Sequence, residues 1–255
     1  MALPESGHAQ AAVATYDFGN NFNANEPGAP ALTPVDPTGT SVFVTDMVLG
    51  QMRRVWQFNG VNSPPSQQAG LSLNTTGLVP PESYSVDMVF EFTQSPNAWR
   101  RIIDVQNRQS DSGFYVDPSN NLDIFPVSGS SAAWTNNIFH HVVLTNDGAM
   151  VAVYLDGISQ FSTSTTLLNI DNGNNPGLVM NFFLDNVVAG GQGEWSGGEV
   201  ALIRMWNRVL TPAEAQALAN NPFAVPEPSS WLLIGLGVAV LALAGMRRKR
   251  KALHN

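Results

Sequence analysis

The chain contains no cysteine. Disulfides, thiolate nucleophiles and cysteine-ligated zinc are excluded with it. Lysine is missing from residues 1–225, and the two that exist are Lys249 and Lys251. Over residues 1–225 seven arginines face nineteen acids, a net charge of −12. A surface this acidic repels a phosphate backbone, so nucleic acid is not an expected partner. Charged residues are only 13% of the whole, against a usual share of about a quarter. Asn, Ser, Thr, Gly and Pro take their place, as in loop-rich β proteins, and a long helical bundle is disfavoured. The signatures G-x-S-x-G, a phosphate-binding loop and H-E-x-x-H are all absent, which removes their chemistries from consideration.

What is present begins with an apolar fraction of 44% over 255 residues. That is enough for a sizeable core in one or two domains. The apolar content is distributed unevenly. Trp231 to Met246 reads WLLIGLGVAVLALAGM, sixteen residues without a charge. As a helix it would span roughly 24 Å, slightly short of the ~30 Å hydrocarbon core of a bilayer but workable. A buried soluble helix normally keeps a polar face, and this segment has none. Arg247-Arg248-Lys249-Arg250-Lys251 follows at once and holds that end in the cytoplasm. Before the span, Pro226 and Pro228 block helix and central strand and leave an accessible strip.

The order VPEPSSW, apolar Gly/Ala/Leu-rich helix, RRKRK over residues 225–251 resembles the PEP-CTERM sorting signal. The resemblance implies recognition at Pro226, Glu227 and Pro228 by an exosortase, a membrane-embedded processing enzyme. It implies an exported protein of a Gram-negative bacterium, anchored in the inner membrane until the tail is processed. The destination is then the cell surface or an exopolysaccharide matrix. Residues 1–14, MALPESGHAQAAVA, lack the basic and apolar regions of a signal peptide, yet Ala12-Val13-Ala14 fits the small-residue pattern that ends one. Either this is the remnant of an export signal or an A-x-A arising by chance in an Ala-rich stretch.

Between the ends the chain reads as short strands and turns. Residues 1–40 are expected to be a lead-in, extended and rich in Asn, Pro and Gly from residue 16 on. In Ser83–Phe92, Tyr84, Val86, Met88 and Phe90 alternate onto one face. Further strands are expected at 101–105, 113–116, 122–125, 139–145, 150–155, 178–184 and 199–206. Asp117–Asn121, Asn146-Asp147-Gly148 and Asp156-Gly157 supply hairpin turns. Thr211-Pro212-Ala213-Glu214 is a capping box with proline at the first helical position, so a short helix closes the domain. Trp134, the run Phe139–Thr145, Val153–Gly157 and the run Gly197–Glu214 together resemble laminin-G-like, concanavalin-A-like jelly rolls. Phe58-Asn59-Gly60 is similar to an early Phe-Asp-Gly element there. The implied architecture is an all-β jelly-roll sandwich over 41–222 with one closing helix, a linker over 223–230, a transmembrane helix over 231–246 and a basic tail over 247–255.

Some relatives of that fold are glycoside hydrolases. Asp87 and Glu91 share a strand face, but four residues place them roughly 13 Å apart along it. Glycosidase carboxylates work at about 5–9.5 Å, so both read as surface carboxylates. His140 and His141 are adjacent and point to opposite faces, which suits structural roles. Many laminin-G-like domains bind calcium at the sandwich edge. Asp185 and Asn186 follow an expected strand and lead into a glycine-rich loop ending in Glu194, an oxygen-rich set that suits calcium; Asp-Asn is equally ordinary turn chemistry. Asp171–Asn175 lacks EF-hand spacing and reads as a turn. Trp195, in the same glycine-rich loop, is the candidate for stacking on a sugar ring, and Trp134 is expected in the core. The expected function is a non-enzymatic surface or matrix protein binding glycan or protein. The alternatives are an envelope polysaccharide hydrolase and a purely structural matrix component.

Overall fold

A computed structural model describes residues 11–59, 67–94, 97–171, 173, 175–188 and 193–224. Among them run fifteen strands and one helix: β1 (Ala14–Tyr16), β2 (Thr33–Val35), β3 (Val42–Val48), β4 (Gln51–Phe58), β5 (Gly70–Asn74), β6 (Tyr84–Phe92), β7 (Arg100–Asp104), β8 (Gly113–Val116), β9 (Asn121–Phe125), β10 (Ser128–Ala133), β11 (His140–Asn146), β12 (Met150–Leu155), β13 (Ile158–Ser164), β14 (Val179–Phe182), β15 (Gly198–Trp206) and α1 (Pro212–Asn220). They build two antiparallel sheets. The first runs β13-β12-β11-β6-β15-β4-β3, with β1 also paired to β15; the second runs β10-β9-β8-β7-β14-β5-β2.

Alternation in β6 fixes its faces as expected. Tyr84, Val86, Met88, Phe90 and Phe92 enter the core between the sheets, while Val89 packs in a separate cluster on the outer face. The core is rich in stacked rings. Phe58 lies on Phe183 at 4.3 Å and Trp134 on Phe90 at 4.9 Å, and Trp134 is buried. Side chains of this size contribute about 1.5–3 kcal/mol each when buried.

The expected lead-in over residues 1–40 is corrected from Ala12 onward. The compact unit is Ala12–Phe223. β1 pairs with β15 in the register Ala14↔Met205, and β2 pairs with β5 in the register Thr33↔Ser72. Tyr16, Phe18 and Leu32 are buried in the main core. Glu26 holds the segment in place, its carboxylate accepting from Thr15 N–H at 2.6 Å and from Thr15 Oγ1 at 2.7 Å. Both strands are three residues long, too short to show alternation among prolines and asparagines.

The turns form where expected. β12 and β13 join through Asp156-Gly157, both at positive φ (51° and 80°), as a two-residue hairpin requires. A Cβ on Gly157 would sit 2.9 Å from Ala219 Cβ of the helix, so this turn is also where α1 docks. α1 buries Ala215, with Leu218 beside it, in a cluster with Val143, Tyr154, Trp206 and Leu210. Its capping box is complete: Glu214 N–H donates to Thr211 Oγ1 at 3.3 Å and Thr211 N–H to Glu214 Oε2 at 2.8 Å.

Arg208 Nη2 adds an ion pair to Glu214 Oε1 at 2.6 Å. Its hydrogen bonds, ahead of the opposing effect of burial, hold the Glu214 carboxyl down at about 2. A depressed folded pKa stabilises the fold above the unfolded value and the gain is lost as pH falls toward the folded one. The window therefore runs from about 4.5 down to about 2. Glu214→Gln should lower the melting temperature at neutral pH, and its difference from wild type should shrink to nothing across that window in a pH series of thermal melts. A difference that stays constant with pH would show that the carboxylate charge is not what stabilises the helix start.

Pro226, Glu227 and Pro228, the expected span over 231–246 and the basic tail lie outside the described residues, as do residues 1–10 and Gly60. Among the described residues no helix is long and apolar enough to cross a membrane.

Candidate functional site

The outer face of the first sheet carries polar chemistry that the alternation of β6 leaves there. Asp87 is fully buried between two cross-strand partners. His141 Nε2 lies 2.7 Å from Oδ1, Arg204 Nε donates to Oδ2 at 2.6 Å, and Arg204 Nη2 is 2.5 Å from Oδ2. Burial pushes this carboxyl up, and Arg204 and His141 together more than offset it, leaving its pKa lowered. His140 turns the other way, onto the Trp134 ring at 4.6 Å and Asp156 Oδ2 at 2.8 Å. Both histidines thus have carboxylate partners in the fold. The expectation that Asp87 and Glu91 lie at the surface is overturned: they are 0% and 7% exposed. Each faces groups from distant strands, which the spacing within β6 alone could not show.

Glu91 stands directly opposite Glu199 in the pairing of β6 with β15. The β3–β4 hairpin then lays a third acid beside them. Val48, near its tip, is buried with Val55, Val89, Phe139, Ala201 and Leu202, so the hairpin packs on the outer face. Asp46, Glu91 and Glu199 each place one carboxylate oxygen within 4.8 Å of the others. Glu199 is 5% exposed. Its Oε1 accepts from Gln57 Nε2 at 2.7 Å, and its buried Oε2 has no hydrogen-bond partner. Burial, then Glu199 and Asp46, push Glu91 up to about 7; burial, then Asp46 as well, outweigh the Gln57 hydrogen bond and raise Glu199. A cleft of about 340 Å³ opens over Asp46 and Glu91, walled by Met47, Leu49, Asn137, Ile138 and Phe139. Met47, Leu49 and Ile138 are largely exposed, so an acidic floor has an apolar rim. Sequence reasoning missed this grouping because its members come from three strands with no shared motif.

The second grouping contains residues expected from the sequence. Asp185 and Glu194 meet within 4.8 Å, joined by Asp111, which the sequence did not single out. Asn186 is adjacent, its Nδ2 donating to Asp111 Oδ1 at 3.1 Å. Asp185 is fully buried and already engaged. Oδ1 accepts from Asn186 N–H at 2.7 Å, and Oδ2 from Gly193 and Glu194 N–H at 2.9 and 3.0 Å. Arg101 Nε sits 3.8 Å from Oδ1. This carboxylate therefore ties down the backbone at both sides of the loop. Burial, followed by Asp185 and Asp111, pushes Glu194 up to about 9. Trp195 is half-buried next to it. Trp99, also half-buried, meets Tyr115 and Phe125 edge-on at 5.5 Å each.

Comparisons with known proteins place this geometry. No curated protein matches the chain. Among solved structures, it is similar to domain 4 of AbnA, a GH43 extracellular arabinanase from Geobacillus stearothermophilus, solved in complex with arabinotriose. The TM-score is 0.60 at 16% identity, covering 82% of this chain and 100% of that one. It is also similar to the binding domain of botulinum neurotoxin DC, solved in complex with rat synaptotagmin II. There the TM-score is 0.56 at 10% identity, covering 82% of this chain and 51% of that one. The chain thus spans about half the length of the neurotoxin domain. Identities this low show the shared fold alone. The PEP-CTERM protein-sorting motif matches residues 224–250, and such a motif implies export and processing by an exosortase-type membrane enzyme. The model of the concanavalin A-like lectin/glucanases superfamily (laminin G type) matches residues 65–216. That match is more than half of the chain, and with the two-sheet jelly roll it shows that the chain belongs to the concanavalin A-like lectin/glucanase superfamily.

Proposed function

We propose that this is a surface-displayed binding protein whose jelly roll holds a polysaccharide without cleaving it. The observation that carries the reading is the burial of the acids. Glu91 and Glu199 are 7% and 5% exposed and lie with Asp46 inside 4.8 Å, under a hairpin. Glycosidic cleavage needs two carboxylates flanking a sugar, with room between them for the bond and often a water. Trp195, half-buried on the loop that Asp185 fixes, is the proposed sugar contact, since a rigid aromatic side chain gives large contact area at low entropic cost. The sorting motif supports display at the cell surface or in an exopolysaccharide matrix. Before processing, the helix expected over 231–246 would anchor the chain in the inner membrane of a Gram-negative cell, with the basic run inside.

One observation favours a hydrolase instead: Glu91, its pKa raised to about 7, lines a cleft beside Asp46, and Glu199, also raised, lies within 4.8 Å of both. Acid–base work needs carboxylates with shifted pKa values. A single panel separates the readings. The protein is incubated with plant, bacterial and algal polysaccharides, and both retention and new reducing ends are measured. The binding reading expects retention on at least one polymer, reduced roughly tenfold or more by Trp195→Ala, without new reducing ends. Release of reducing ends that Glu91→Gln abolishes would establish the hydrolase. No retention on any polymer would leave a purely structural matrix role or a protein ligand.

A further inference from the structure

The acids of the cleft are placed against their own repulsion. Like charges directly opposite on paired strands destabilise a sheet, yet Glu91 and Glu199 are opposed and Asp46 is packed against both. Among the described residues no arginine or lysine forms an ion pair with any of the three. Arg53, opposite Asp46 in the hairpin register, lays its guanidinium on the Phe223 ring at 3.8 Å instead. Gln57 satisfies one oxygen of Glu199, and the other is buried with no partner. That orphan oxygen belongs to a side chain 95% removed from solvent, and its carboxylate reaches the other two acids.

We propose that Asp46, Glu91 and Glu199 form a divalent-cation site, of calcium type, that clamps the β3–β4 hairpin onto the sheet. The donors are all carboxylate oxygens, which select hard cations over zinc or copper. Calcium binds oxygens at 2.3–2.6 Å, so two donors on opposite sides of one ion are about 5 Å apart, and the separation of up to 4.8 Å fits around a single ion. Three carboxylates give three to six oxygens, and the cleft above Asp46 and Glu91 admits water for the remainder. Asp46 lies outside residues 65–216, so the site depends on a hairpin beyond the superfamily match. The Asp111–Asp185–Glu194 grouping is the weaker cation site. Arg101 already neutralises part of its charge, and both oxygens of Asp185 accept backbone N–H groups.

The consequence is mechanical. One ion would join β3, β6 and β15 and hold Met47 and Leu49 where they wall the cleft. This holds whether or not the jelly roll binds a polysaccharide through Trp195.

The test uses the full chain, stripped with EDTA and titrated with calcium chloride alone. Calorimetry should show one ion per chain. At a hundredfold excess over Kd the melting temperature should rise by about 5–10 °C. Glu199→Gln and Asp46→Asn each remove one repelling charge, so without calcium they should melt at or above the wild-type temperature, yet show no calcium response. Asp111→Asn should respond like wild type. Absence of any calcium shift in the wild type overturns the proposal, and so does a response that survives in Glu199→Gln but disappears in Asp111→Asn. A larger shift with magnesium than with calcium overturns the calcium assignment.

Discussion

A chain beginning at Ser41 should fail to fold, while one spanning residues 12–223 should fold with β-type circular dichroism. The reason lies in what residues 12–40 bury. Tyr16, Phe18 and Leu32 are 0%, 1% and 2% exposed, and at about 1.5–3 kcal/mol each their loss removes roughly 5–9 kcal/mol. That is an upper estimate, since the unfolded chain already hides some surface, but it rivals the ~5–15 kcal/mol by which domains are stable. The deletion also strips β1 from β15 and β2 from β5, exposing unpaired strand backbone that invites aggregation. Leu32→Ala is the graded version and should cost about 2–5 kcal/mol, read as a lower urea midpoint at unchanged slope. If residues 41–223 unfold at the same urea concentration as residues 12–223, the N-terminal strands are dispensable and the domain begins where the sequence pattern placed it.

Asp87→Ala should be the most damaging single substitution on the outer face. It leaves Arg204, 2% exposed, without its buried counter-ion, and His141 without its carboxylate. Breaking a buried pair in this way typically costs about 3–5 kcal/mol, because the surviving charge stays desolvated. For a unit of this size each kcal/mol is roughly 2–4 °C, so the melting temperature should fall by about 6–20 °C. Replacing the ion pair by apolar residues, Asp87→Leu with Arg204→Met, should recover part of the loss, since the buried guanidinium is then gone while His141 still lacks its carboxylate. Glu82→Ala, at an exposed position, serves as the control. A single variant that melts like the control, or a double variant no better than Asp87→Ala, would remove the ion pair from the account of stability.

The sequence by itself determined the features that depend on near neighbours. The period-two pattern of Tyr84 to Phe92, the Asn146-Asp147-Gly148 and Asp156-Gly157 turns, and the Thr211–Glu214 capping box each rest on residues a few positions apart. Backbone dihedrals and hydrogen bonds at that range are set by local chemistry. The sorting motif is likewise a linear order of parts, legible without a fold. Asp185 and Glu194 were legible as one loop's ends, but not the backbone hydrogen bonds that occupy Asp185, nor Asp111 beside them.

Only the tertiary structure decided where the charges of the first sheet meet. Asp87 lies opposite Arg204 and Glu91 opposite Glu199 because the pairing of β6 with β15 shifts by one residue between Val200 and Leu202. Without that bulge the two pairs could not both form, since a slip of one residue sends a side chain to the other face. Asp46 joins them because its hairpin packs Val48 into the outer-face cluster. β1 and β2, three residues each, carry too little pattern to announce themselves and are held by strands far along the chain. Register and packing are set by the burial of the whole apolar set at once, and no window of sequence contains that sum.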